Sequence, residues 1–201
     1  MPGYSPDLRF LLYGKYASRE PEQLLAEVEA VPWPAGVFNQ VGEMLALNAP
    51  FYAMLGPRLA SQVRGDPDKR NLVAMASNPD FAERCETWDE GVGFMIGLAK
   101  GDTRVEHNLE RPAPNSQDVM RRFLAGDPKY IARLLGLWER TPAIEHWTRH
   151  RYPFRWHAED GRLMRFHVVM HVCDVWRELF WGDYVPEDGE TWDVLRSLPR
   201  A

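Results

Sequence analysis

An Asp-Gly pair at positions 160 and 161 separates two segments whose side chains alternate between polar and apolar, RYPFRWH and RLMRFHVVMHV. Asp-Gly is the strongest short-range signal for a tight β-hairpin, because both residues tolerate the positive φ angles of a type I′ turn. In the second segment, odd positions from Leu163 to His171 share one face and even positions from Met164 to Val172 share the other. The pattern predicts two antiparallel strands with one buried face. A third strand is predicted in WRELFWGDYV.

A second hairpin is predicted near the start of the chain, in AGVFNQ and EMLALN, which flank a Gln-Val-Gly turn. Asn48 follows directly, and its side chain suits the N-cap of a helix. Pro50 suits the first helical turn, where its missing N–H is not needed. APFYAMLG is therefore predicted to be a short helix that ends at Gly56.

The remaining segments have apolar residues at the spacing of three and four that is typical of amphipathic helices. The predicted helices are SPDLRFLLYGKYAS, SREPEQLLAEVEAV, KRNLVAMAS, NPDFAERCETWDEGVGFMIGLAKG, SQDVMRRFLAG, DPKYIARLLGLWERT and the short C-terminal ETWDVLRSL, with an exposed loop at RPAPNS. Helices, two strands, a helical middle and then further strands indicate an α+β domain with an antiparallel sheet.

Composition restricts the classes of partner. The chain carries a net charge of −5 and no basic run longer than two residues, so these residues lack the electrostatic footprint of a nucleic-acid-binding surface. The sequence contains no apolar run near 18 residues, which argues against a membrane partner. Cys85 and Cys173 lie far apart and form neither a CxxC pair nor a disulfide framework. We therefore expect a cytoplasmic protein.

The histidine pairs do not predict a metal site. His167 and His171 lie about 13 Å apart if they are on a strand, which is too far for one ion. No HExxH motif, nucleophile elbow, phosphate loop or dinucleotide motif occurs in the chain, so we predict no catalytic residues, no metal and no cofactor.

One catalytic alternative remains open. His146 and His150 are four residues apart and lie near a predicted helix end. His150 or His157 with Asp160 would form a histidine–carboxylate pair for proton transfer. This is the enzyme hypothesis for the chain, with a small cone-like pocket. A further alternative is an interaction module whose aromatic surface meets a partner or a second copy of the chain in a homodimer.

The order of motifs resembles a known family. GEMLALNAPF resembles the opening hairpin and Asn-turn of a PAS domain. More narrowly, residues 21 to 198 resemble the MmyB-like ligand-binding domain of helix-turn-helix transcription regulators. The matching segments are PEQLLAEVEAV, PAGVFNQVGEMLALNAPFYAMLG, Arg70-Asn71-Leu72, Pro79 with Trp88, Thr141-Pro142 with Trp147 and His150, and Tyr152-Pro153 with Asp160-Gly161. Leu47 stands where the family usually has Trp.

The resemblance implies a PAS-like antiparallel sheet with N-terminal helices and a large helical insertion. Residues 21–201 would form the ligand-binding domain, and residues 1–20 would be a helical extension or linker. DNA would be bound only through a helix-turn-helix domain that these residues do not contain. The family further implies a fatty acid or similar lipophile in an apolar cavity.

The ligand contacts that would follow from this resemblance divide into an apolar wall and a head-group site. The wall residues are Met44, Met75, Trp88, Phe94, Met95, Trp138 and Trp147, with Leu134 and Leu135 beside them. The head-group candidates are Arg70, Asn71 and His150, since guanidinium binds carboxylate through two parallel hydrogen bonds. The alternative for Arg70 is a structural role in helix capping or a surface salt bridge.

Overall fold

The structure, a computed structural model, describes residues 21–39, 42–66, 69–101, 126–144, 149–174 and 179–199. The helices in these ranges are α1 (Pro21–Glu29), α2 (Ala49–Gly65), α3 (Leu72–Ala76), α4 (Pro79–Ala82), α5 (Trp88–Gly101), α6 (Pro128–Arg140) and α7 (Gly189–Ser197). The strands are β1 (Ala35–Asn39), β2 (Met44–Leu47), β3 (Arg149–His157), β4 (Leu163–Asp174) and β5 (Leu179–Pro186). Residues 1–20 and the predictions for SQDVMRRFLAG, RPAPNS, His146 and Trp147 lie outside the described residues.

The five strands form one antiparallel sheet in the order β2-β1-β5-β4-β3. The first hairpin joins β1 to β2 and the second joins β3 to β4, where Gly161 has a φ of +84°. β5 lies between β4 and β1. Helices α2 to α6 lie between β2 and β3 in the chain. The predicted α+β fold, with an antiparallel sheet and a helical insertion, is confirmed.

The sheet has one face that carries most of the core. The even positions of β4 from Met164 to Met170 are at most 5% exposed, as the alternation predicts. They pack with α2, α3, α5 and α6 into one large cluster. We call this side of the sheet the inner face. The opposite, outer face is covered by α1, whose Leu24 and Val28 pack near Trp181 of β5. Burial of each large apolar side chain contributes roughly 1.5–3 kcal/mol, so the inner face is the main source of stability.

Asn48 caps α2 as predicted and also holds together the elements before it. Its side-chain oxygen accepts hydrogen bonds from the backbone N–H of Phe51 and of Ala35, each at 3.0 Å. Its amide group donates to the carbonyls of Val28, Val31 and Trp33 at 3.2, 3.1 and 2.8 Å. The residue is fully buried. Asn48 therefore joins α1, the following loop, β1 and α2 through one side chain.

The predicted end of the helix at Gly56 is wrong. The helix continues to Gly65, with a kink at Gly56, where φ is +78° and ψ is 164°. Pro57 follows, and a proline fits the first turn of a new helical segment because its missing N–H has no partner there. Gly56 thus permits the left-handed backbone of the kink, and Pro57 begins the second half of the same helix.

The prediction of one continuous helix from Asn78 to Gly101 is also wrong. Residues 83–87 separate α4 from α5 and lie along the edge of β3 instead. The Glu86 N–H donates to the Arg155 carbonyl at 3.0 Å, and the Arg155 N–H donates to the Thr87 hydroxyl at 2.9 Å. This segment satisfies part of a strand edge whose hydrogen-bonding groups would otherwise be unpaired.

Candidate functional site

Five of the predicted apolar wall residues lie in the core, including Leu134 of α6. Met44, Met75, Trp88 and Phe94 are each at most 4% exposed and belong to the inner-face cluster. The Trp88 indole N–H donates to the Ala76 carbonyl at 2.9 Å. These side chains pack between the sheet and the helices, on the face where the resemblance places a lipophilic ligand.

Arg70 and Asn71, two of the head-group candidates, have backbone partners. Arg70 donates from Nε to the Met44 carbonyl at 2.7 Å and from Nη2 to the Leu45 carbonyl at 2.9 Å. Asn71 is buried and caps α3 by accepting the Val73 N–H at 2.8 Å. Arg70 therefore ties the edge strand β2 to the loop before α3, which is a structural role but not the helix cap or salt bridge of the alternative.

The remaining wall candidates are scattered. Met95 is half-buried and packs against the core. Trp138 is 44% exposed on α6, with the Lys100 ammonium 5.3 Å from its ring centre. Next to it, Leu134 is buried whereas Leu135 is exposed. The structure thus brings Trp138 to the surface rather than to the inner face.

Phe94 and His150 are two predicted residues whose rings the structure stacks against each other. His150 lies on β3 and not near a helix end as predicted. Its imidazole stacks on the Phe94 ring, with 4.2 Å between centroids and 5° between planes. Tyr152, two residues along the strand, lies 5.6 Å from Phe94 and 6.1 Å from His150. These three rings form an aromatic wall between α5 and β3. Gly91 of α5 leaves room for Tyr152.

The polar groups of this region of the inner face are uncharged. Burial lowers the pKa of His150, so the imidazole is neutral at pH 7. Tyr152 and Tyr184 are hydrogen-bonded to each other, and burial raises the pKa of both phenols. Burial likewise raises the pKa of the Cys85 thiol to about 12, against the opposing effect of hydrogen bonds with Thr87. Since the thiolate is the reactive form, Cys85 is not a nucleophile near neutral pH.

Tyr152 and Tyr184 were missed from the sequence. They lie in one row across the sheet, because Val168 of β4 is opposite Tyr152 on one side and Tyr184 on the other. The period-two pattern of β3 alone places Tyr152 on the same face as Phe154 and Trp156, which was a usable signal. The pairing with Tyr184 depends on the strand order, which the sequence does not reveal.

A second location has the shape of a binding pocket. A cavity of about 290 Å³ opens at the kink of α2, and we call it the kink pocket. Its apolar lining comes from the kink and the C-terminal end, namely Tyr52, Ala53, Met54, Gly56, Pro57, Leu198 and Pro199. Its polar lining comprises Arg84, Glu159, Asp160, Arg162 and Ser197. None of the nine predicted site residues within the described ranges lines this pocket.

Arg84 is held in place by the kink itself. Gly56 and Pro57 interrupt the helical hydrogen bonds, so the carbonyls before them need other donors. Arg84 donates from Nη1 to the Leu55 carbonyl at 2.8 Å and from Nη2 to the Met54 carbonyl at 3.4 Å. Its Nε donates to the His157 carbonyl at 2.7 Å. The guanidinium is therefore fixed at the wall of the pocket.

The enzyme hypothesis paired His157 with Asp160, whereas the structure pairs it with Glu86. His157 Nε2 lies 2.7 Å from Glu86 Oε1, and this contact raises the pKa of His157. Asp160 instead pairs with Arg162, at 2.6 Å between Oδ2 and Nη2. His157 and Glu86 are partly exposed at the surface and do not line the kink pocket. The kink pocket is therefore not a substrate cavity for the His157–Glu86 pair.

Within the described ranges, no group of three or more His, Cys, Asp or Glu side chains has an arrangement that would hold a metal ion. The helices in those ranges are also too short or too polar to cross a membrane. A scan against protein-family models and a search of curated proteins found no match to this chain.

Proposed function

We propose that this protein is a small-molecule-sensing domain that holds a lipophilic, fatty-acid-like ligand against the inner face of its sheet. In this proposal it works in the cytoplasm as part of a PAS-like, MmyB-type transcription regulator, and DNA is bound by a separate helix-turn-helix domain. One observation carries the proposal. The half-buried imidazole of His150, stacked on Phe94, has no hydrogen-bond partner among the described residues.

The imidazole is informative because it has no partner in the described part of the chain, whereas buried polar groups normally have hydrogen-bond partners. His150 stands among aromatic rings and beside α5, so its nitrogens are available to the head group of a bound molecule. Small-molecule sites typically combine an apolar wall with a few such polar groups. The neutral state of His150 also avoids placing a permanent charge next to an apolar ligand.

The apolar contacts can provide the affinity. A fatty-acid tail of about 12 methylenes would gain near 10 kcal/mol of gross transfer free energy at roughly 0.8 kcal/mol each, before the cost of ordering. Thioether and aromatic side chains of the inner face, such as Met95 and Phe94, suit a flexible chain because methionine adapts to irregular shapes.

The proposal is tested first by native mass spectrometry and solvent extraction of protein purified without denaturants. We expect a co-purifying lipophile in stoichiometric amount. Purified protein should also bind a fluorescent fatty acid saturably, and unlabelled myristate should displace it. Protein that carries no extractable lipophile and binds none of a fatty-acid panel would contradict the proposal.

The role of His150 is tested by His150→Phe, which keeps the aromatic stack and removes both ring nitrogens. We expect the affinity for myristate to fall about tenfold, since a hydrogen bond to a charged group contributes roughly 1.5–3 kcal/mol. Binding of the methyl ester, which lacks the carboxylate, should change much less. His167→Phe on the outer face is the matched control and should bind both ligands as the wild type does.

A further inference from the structure

The kink pocket contains two pairs of opposite charges, and only one pair is closed. Arg162 and Asp160 bind each other, and Arg162 also donates to the Ser197 hydroxyl at 2.9 Å. This closed pair joins the β3–β4 turn to the end of α7 and forms one rim of the pocket. Its charges are already neutralised, so the ligand chemistry of the pocket depends on the other pair.

The second pair, Arg84 and Glu159, is open. Both side chains line the pocket, and they influence each other electrostatically, yet they form no ion pair within 4.0 Å. Arg84 cannot swing towards Glu159 because three carbonyls hold it. Two of its five N–H groups have no acceptor in the described part of the chain. The Glu159 carboxylate likewise has no hydrogen-bond or ion-pair partner there.

The rest of the pocket is apolar and small. Tyr52, Met54 and Leu198 supply hydrocarbon surface beside the two open charges. Its volume of about 290 Å³ lies at the lower end of the range of roughly 300–1,000 Å³ that is typical of small-molecule sites.

We propose that the kink pocket binds a free α-amino acid with an apolar side chain, whose carboxylate pairs with Arg84 and whose ammonium group pairs with Glu159. A zwitterion satisfies both open charges at once, whereas an anion or a cation alone would leave one of them unpaired. The apolar side chain lies against Tyr52, Met54 and Leu198. This site is separate from the aromatic wall around His150, so the domain would read two kinds of small molecule.

The test uses isothermal titration calorimetry with L-leucine, which has a suitable size. Two analogues separate its charges: 4-methylpentanoate lacks the ammonium group and 3-methylbutylamine lacks the carboxylate. We expect saturable 1:1 binding of leucine and at least tenfold weaker binding of each analogue. Absence of saturable leucine binding up to about 10 mM, or equal binding of 4-methylpentanoate, would overturn the proposal.

Glu159→Gln removes the charge that would bind the ammonium group and keeps the size of the side chain. We expect this variant to bind leucine about tenfold more weakly and 4-methylpentanoate no more weakly than the wild type. Glu29→Gln, an exposed position at the end of α1, is the matched control and should bind leucine normally. Unchanged leucine binding by Glu159→Gln, with circular dichroism confirming the fold, would also overturn the proposal.

Discussion

Replacement of Asn48 by Asp is a nearly isosteric change at a side chain that makes five hydrogen bonds. The aspartate oxygen that replaces Oδ1 can still accept from the N–H groups of Ala35 and Phe51. The second oxygen replaces an amide that donates to three carbonyls. The substitution therefore turns three attractive contacts into close approaches between oxygen atoms, with no change in volume.

The magnitude follows from burial. The side chain is fully buried, so solvent cannot compensate the carbonyls of Val28, Val31 and Trp33. Leaving a buried polar group without a partner costs about 1–3 kcal/mol, and a buried carboxylate without a counter-ion costs more or takes up a proton. We expect Asn48→Asp to lower the free energy of unfolding by at least about 3 kcal/mol at pH 7. The loss should shrink at low pH, because burial raises the pKa of the introduced carboxyl and its protonation removes the charge.

Urea unfolding followed by tryptophan fluorescence and far-UV circular dichroism measures this loss. Asn78→Asp is the matched control, since Asn78 caps α4 by accepting the Asp80 N–H and, within the described ranges, donates to one group, the Gln62 side chain at 2.8 Å. A carboxylate is a good N-cap, so the control should lose less than about 1 kcal/mol. If Asn48→Asp also lost less than 1 kcal/mol, the central structural role of Asn48 would be refuted.

Three further predictions concern the kink, the surface pair and the buried thiol. Gly56→Ala should lower the free energy of unfolding in urea by about 1–3 kcal/mol, because the φ and ψ of Gly56 belong to a region almost restricted to glycine. Gly161 has a positive φ and open space around it, so Gly161→Ala should lower this free energy by less. An equal loss in the two variants would contradict the reasoning. Nuclear magnetic resonance titration should place the pKa of His157 above 6.5, and Glu86→Gln should lower it. Because the folded pKa is raised, this contact stabilises the protein fully below pH 6.5 and its contribution disappears as the pH rises through the folded pKa; an unchanged pKa in the variant would refute the contact. Native protein at pH 8 should leave Cys85 unalkylated by iodoacetamide, whereas rapid labelling without unfolding would contradict its burial and raised pKa.

Much of the fold was predictable because its signals are local. The turn at Asp160-Gly161 and the alternation of β4 lie within a few residues of each other, and both are confirmed. Asn48 was predicted as an N-cap from its position before Pro50, and this is also confirmed. Its contacts with residues 28 to 33 were not predictable, because they depend on how α1 returns to the sheet.

The errors lie where contacts between distant residues override local preference. Gly56 has the positive φ expected at the end of a helix, yet Pro57 begins a second helical segment directly after it. Residues 83–87 have helical spacing, but their pairing with β3 joins positions about 70 apart in the sequence. The same reason explains why Arg84 was overlooked: its acceptors in the kink of α2 lie 29 and 30 residues away.

The candidate site was predictable in part. The family resemblance, together with residue type, suggested Phe94 and His150, and the structure stacks them. Arg70 has the right chemistry for a carboxylate ligand, but two carbonyls of β2 already use its guanidinium. The ligand contacts of the ten suggested residues stay predictions, since packing, capping and binding use the same side-chain types.

A photoactivatable fatty acid with a diazirine near its terminal methyl group tests the proposed sensing role most directly. After irradiation of the purified protein and peptide mass spectrometry, we expect labels on α5 and β3, close to Phe94 and Tyr152, and loss of these labels when excess myristate is present. Labelling confined to α1 and the outer face, or labelling that myristate does not reduce, would contradict a lipophile site on the inner face.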